Sequence, residues 1–188
     1  MNSPEVYVEK EPFFNMVLAA IETGKRECLG IVFGRKPGRN RNYFHVTNAT
    51  AIQCVRRRSN KEVEQTDLSS KNIAPLLASG SPMRFLGDFH SHPDWGGHKA
   101  PFGMSEGDVK NMADAGNYLE FIILISSVDK ERGPWEALSD GSVRGFLTKR
   151  SIGLSVYMLQ DVDGKKKPIK LRINAPSAIR ALNRMKTL

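Results

Sequence analysis

Residues 118–126, YLEFIILIS, constrain this chain more than any other segment. They are its most apolar run and read as a central strand covered on both faces. Such a strand needs other strands beside it and helices over it, and the rest of the chain supplies both. Phe13, Phe14, Val17, Leu18 and Ile21 recur at helical spacing, and Gly24 is placed to end that helix. Residues 28–33, CLGIVF, form a short apolar run before Gly34 and predict a second buried strand. Residues 43–47 and 51–55 predict a hairpin or two successive strands after the turn chemistry of 40–42. A helix is expected over 67–78, where Pro75 weighs against its continuity. Residues 83–89 form a strand that runs into a histidine cluster. Ser105 followed by Asp108 is an N-cap pattern, opening a helix through about Ala115. Three later strands are expected over 143–147, 153–159 and 168–173, and a C-terminal helix over 175–186. Strands and helices mix without internal repeats. The expected class is therefore α/β or α+β, a single domain over 1–188 with a mixed β-sheet flanked by helices.

Composition narrows the function classes. The chain has 188 residues, which suits one domain. Only Cys28 and Cys54 occur, which excludes a disulfide scaffold, a four-cysteine zinc ribbon and a cysteine-held iron–sulfur cluster on this chain alone. So few thiols suit a reducing compartment. No stretch approaches eighteen consecutive apolar residues, so no membrane span is expected. The opening residues, MNSPEVYVEKEPFF, lack the basic-then-apolar order of a secretory signal, and a soluble, cytoplasmic protein is expected. The formal charge of +8 invites a nucleic-acid reading. Its distribution argues against one: residues 25–58 and 141–188 are basic, but the middle, 59–140, is acidic. The basic runs 35–41, 56–58 and 165–167 lie beside Gly, Pro, Asn or Ser and read as loops or strand ends. Little aromatic interleaving is present for base stacking. These segments read as solvated turns or as docking surfaces for a protein partner.

The chemistry concentrates in Phe89-His90-Ser91-His92-Pro93 and Ser105-Glu106-Gly107-Asp108. Residues two apart in a strand point to one face, so His90 and His92 can aim two imidazoles at one point. Two neutral imidazoles make a zinc half-site, and a carboxylate can complete three protein ligands. Asp108 is the natural third, in a first helical turn where the helix dipole favours a carboxylate. Three protein ligands leave a fourth position open, the pattern of a catalytic zinc. Ser105 lies one turn before Asp108, on the same side. The bland alternative is a surface strand end with Ser105 as an N-cap. Glu27, directly before the apolar strand, is the candidate proton acceptor, because burial at the mouth of a strand tunes a carboxylate toward neutrality. Its bland alternative is an exposed junction residue beside Lys25 and Arg26. Cys28 is a rival nucleophile, but it sits inside an apolar run and reads as packed.

In order, Glu27 with the strand Cys28-Leu29-Gly30-Ile31-Val32-Phe33-Gly34, then Leu86-Gly87-Asp88-Phe89-His90-Ser91-His92-Pro93, then Ser105-x-x-Asp108, resemble the motif of the JAB1/MPN/Mov34 (JAMM) metalloenzymes. The resemblance covers about residues 13–127. It implies the MPN/JAB (cytidine-deaminase-like) architecture and one catalytic Zn2+ held by His90, His92 and Asp108. It also implies deubiquitinase-like hydrolysis of a peptide or isopeptide bond at the tail of a ubiquitin-like protein. Glu27 would then move the proton, and Ser105 would donate to the oxyanion. A non-catalytic scaffold of the same family is the alternative. One departure stands out: twelve residues separate His92 from Ser105, where the family pattern usually has seven. The excess falls in a loop insertion over 94–103, where Trp95 and His98 are placed to line a substrate groove or to pad the loop. A loop can expand while its ends stay fixed.

Overall fold

The computed structural model describes residues 5–39, 41–53, 55–59, 63–65, 83–94, 103–129, 133–147 and 149–185. Its centre is built as the apolar runs require. Strand β2 (Leu29–Arg35) lies antiparallel between β3 (Tyr43–Ala51) and β6 (Arg84–Pro93). Strand β7 (Leu119–Ser127) runs parallel to β6 on its other side. Beyond β7 come β10 (Arg150–Val162), β9 (Val143–Leu147) and the short β8 (Glu136–Ala137). On the far flank β3 is followed by β1 (Glu5–Val8) and β12 (Ile173–Asn174), both running parallel to it. β11 (Lys165–Leu171) pairs with the outer half of β10. β4 (Val55–Arg58) and β5 (Val63–Gln65) form a separate pair. Among the described residues the helices are α1 (Lys10–Thr23), α2 (Glu106–Ala115) and α3 (Pro176–Met185). None is long and apolar enough to cross a membrane. This is an α+β domain with a mixed sheet.

Alternation along the central strands divides two kinds of chemistry. Phe89, Phe121, Ile123, Leu154 and Val156 share one core with Phe13, Met16, Val17 and Ala20 of α1. His90, His92 and Glu120 fall on the opposite side of β6 and β7. Trp135 closes the core edge-on against Phe13, with ring centroids 5.8 Å apart.

Several expectations are corrected. The break expected between 43–47 and 51–55, as a hairpin or two successive strands, is absent: β3 runs unbroken from Tyr43 to Ala51, paired with β2 across a register shift at Phe33/Gly34. β1, EVYV in the opening segment, is a strand: Val6 and Val8 are buried, and β3 and β12 supply hydrogen bonds on both its edges. Of the two readings given for the basic runs, loop or strand end, Arg56–Arg58 and Lys165–Lys167 take the second, at the end of β4 and the start of β11. β11 is an edge strand, where lysines and Pro168 are tolerated. The helix expected over 67–78 lies outside the described residues.

Gly87 carries one further constraint. Its φ is +150°, and an added Cβ would fall 1.8 Å from the carbonyl oxygen of Leu119 on the next strand. Backbone cannot yield as a flexible side chain can. Gly87→Ala is expected to destabilise the fold by roughly 3 kcal/mol, combining an incompatible backbone conformation with overpacking. Urea unfolding measures this, and an unchanged midpoint would contradict it.

Candidate metal centre

β6 ends in the His-Ser-His step, and strand alternation puts both imidazoles on one face. The rings are tilted by 52° with centroids 4.8 Å apart, and their Nε2 atoms lie 3.0 Å apart. Both residues are buried, 7% and 5% exposed. Asp108 reaches them from α2: its Oδ1 is 3.3 Å from His90 Nε2 and its Oδ2 is 3.6 Å from His92 Nε2. All three ligand atoms lie within 4.8 Å of one another.

The helix start explains why Asp108 sits there. Ser105 caps α2, its Oγ accepting from the Asp108 backbone N–H at 3.2 Å. Asp108 Oδ2 accepts in return from the Ser105 backbone N–H at 2.7 Å. This capping box fixes the carboxylate's rotation and leaves Oδ1 toward His90. The N-cap reading of Ser105 is therefore correct. It does not compete with a role at the site, because the cap uses the hydroxyl only as an acceptor.

Behind His90 stands a residue that the sequence reading missed. Glu120 of β7 is 5% exposed, and its Oε1 lies 2.9 Å from His90 Nδ1. The signal was present: Glu120 is the one acid within 118–126, the most apolar run. Its significance depends on the parallel register that sets Asp88 beside Glu120. Asp88 in turn accepts from Asn117 Nδ2 at 2.9 Å. Burial first, then the nearby Glu120 charge, push the Asp88 carboxyl up to about 7, against the pull of the Asn117 hydrogen bond.

These carboxylates demand a positive charge between them. Burial works against a charged His90, but hydrogen bonds and charges from Asp108 and Glu120 outweigh it and hold the imidazole pKa well above its ordinary value. Asp108 shows the complement: burial would raise its carboxyl, yet His90 and the Ser105 cap bring it down to about 2. A divalent cation would serve the same electrostatic need and would displace the proton. The donor set also fits in size. Ligands at about 2.0–2.1 Å from a tetrahedral zinc lie about 3.3 Å apart, near the separations seen here.

Glu27 arrives from the other neighbour of β6. Leu29 pairs with His90, and the Cys28 backbone N–H donates to Ser91 Oγ at 2.8 Å. Glu27 directly precedes Cys28, and so its backbone lies next to the segment that is bonded to Ser91. It is 8% exposed, so it is not the exposed junction residue of the alternative reading. Ser91, fully buried between the two histidines, thus ties the Glu27 segment to the site. Cys28 is itself fully buried, which removes the accessible thiol that a cysteine nucleophile needs. Trp95 and His98 lie outside the described residues, as does the loop insertion between Asp94 and Gly103.

The fold and the site together define an α+β domain in which the end of an interior strand and the start of a helix bring together a His-His-Asp group that could hold a metal ion. The chain belongs to the prokaryotic homologues of the JAB domain, whose family model matches residues 13–138. A search of curated proteins found no match. Among solved structures, the solution structure of protein DSY2949 from Desulfitobacterium hafniense is similar, with a TM-score of 0.53 at 16% identity, covering 90% of this chain and 92% of that one. At that identity the likeness speaks for the fold alone.

Proposed function

We propose that this domain is a zinc-dependent metallo-isopeptidase or peptidase that cuts after the C-terminal tail of a ubiquitin-like protein, freeing it from a lysine or a precursor. The observation that carries the reading is the convergence of His90, His92 and Asp108 on one buried point. These three residues would hold the ion, which supplies Lewis acidity for the scissile carbonyl and the attacking water. Glu27 takes a proton from that water and returns it to the leaving amine. Ser105 donates a hydrogen bond from its hydroxyl to the developing oxyanion, since the cap uses that hydroxyl only as an acceptor. An extended tail docks as an added strand, with glycines to pass a narrow cleft. The basic segments serve as docking surfaces for protein partners, and a cytoplasmic location suits the low thiol content.

The test is zinc analysis of the purified protein, together with cleavage of ubiquitin-like C-terminal fusions. Stoichiometric zinc with release of the fused partner is expected. A folded, zinc-free and inactive protein would favour the non-catalytic scaffold instead. Ser105→Gly separates the two uses of that hydroxyl. Glycine is a tolerated N-cap, so stability should fall by only a few tenths of a kcal/mol. kcat should fall by about 10²-fold or more. Unchanged kcat would leave Ser105 as a cap alone.

A further inference from the structure

Glu120 has no place in the chemistry just described, yet it stands buried inside the most apolar strand of the sheet. A carboxylate there is costly unless it is paired and hydrogen-bonded. Its partner is the ring nitrogen of His90 that faces away from Asp108 and His92. Only an Nδ1–H can donate to Glu120, and that arrangement commits Nε2, the nitrogen at 3.0 Å from His92 Nε2, to the cation site. Asp88 flanks Glu120 in the parallel register and is itself held by Asn117, and the structure gives Glu120 the His90 ring nitrogen as its hydrogen-bond partner.

From this geometry we infer that Glu120 is a positioning residue for the metal site: it holds His90 in the Nδ1–H form and fixes its ring plane, so that Nε2 is presented to the ion. The inference rests on the metal reading above. Outer-shell carboxylates of this kind orient the imidazole and raise its basicity as a ligand, and their loss typically costs about 10–100-fold in metal affinity.

Zinc affinity of the full chain, measured by chelator competition at fixed pH, tests the assignment. Glu120→Met is expected to bind zinc about 10–100-fold more weakly than wild type. Glu120→Gln keeps an amide oxygen that can accept from Nδ1–H and should recover most of that loss. A purely structural role would lower thermal stability equally with and without zinc, leaving the affinity and the zinc-induced shift in Tm unchanged. A folded Glu120→Met variant that binds zinc within about threefold of wild type would overturn the inference. Nitrogen-15 NMR of zinc-loaded wild type provides a second measurement that needs no variant. It should show His90 protonated at Nδ1 and ligating through Nε2, and the reverse assignment overturns the inference. A wild type that takes up no zinc defeats the metal reading itself and this role with it. Zinc-binding wild type with an indifferent Glu120→Met defeats this role alone.

Discussion

Glu27→Gln is expected to lower kcat for cleavage of a ubiquitin-like fusion by about 10²–10⁴-fold, the range supplied by a positioned general base. That corresponds to roughly 2.7–5.5 kcal/mol of transition-state stabilisation. Glutamine keeps the size and the hydrogen-bonding tip of the side chain but cannot accept a proton. Zinc content should not change, because the three grouped ligand atoms belong to His90, His92 and Asp108. The segment around Glu27 should also hold, since it is tied by backbone: the Glu27 N–H to the Ser59 carbonyl at 2.8 Å and the Cys28 N–H to Ser91 Oγ. Single-turnover assays on zinc-loaded protein read the chemical step directly. Equal rates for variant and wild type would remove Glu27 from the reaction.

Asp108→Asn should separate metal retention from helix capping. Asparagine can still accept from the Ser105 backbone N–H, so the start of α2 persists. It brings no negative charge to the point where His90 and His92 converge. Zinc affinity should fall by more than the roughly 100-fold upper range of an outer-shell loss, because here the ligand itself is altered. Activity should disappear with the metal. Chelator competition and elemental analysis check the first expectation, and circular dichroism of the zinc-free variant checks that the helix remains. Wild-type zinc affinity in Asp108→Asn would take Asp108 out of the ligand set.

The two predictions differ in how far local sequence could support them. Ser105 and Asp108 are three residues apart in one helical turn, and the capping box that joins them depends on that spacing alone. His90 and His92 share a face because strand alternation has period two. Those relations are local, so the motif could be read directly. Glu27 required more: its segment reaches β6 only through the antiparallel pairing of β2 and β6, across more than sixty residues, as the Cys28–Ser91 bond shows.

Tertiary context also overrode local signals. The short segment Glu5–Val8 was too brief to read as a strand by itself and became one because β3 and β12 offered it partners. For the lysines of 165–167, read as a loop or a strand end, pairing with β10 decided for the strand end. Glu120 was visible as an acid in an apolar run, yet nothing in residues 118–126 says that it meets His90 thirty positions earlier. The sequence alone determined a mixed sheet with helices, of α/β or α+β class, the buried runs 28–33 and 118–126, and the two halves of the metal motif. Only the tertiary structure decided that these halves meet, that Glu27 is buried and that Glu120 backs His90. The physical reason is that periodicity and capping are encoded within a few residues, whereas strand register is fixed by which distant partner best satisfies a strand's hydrogen bonds and buried face.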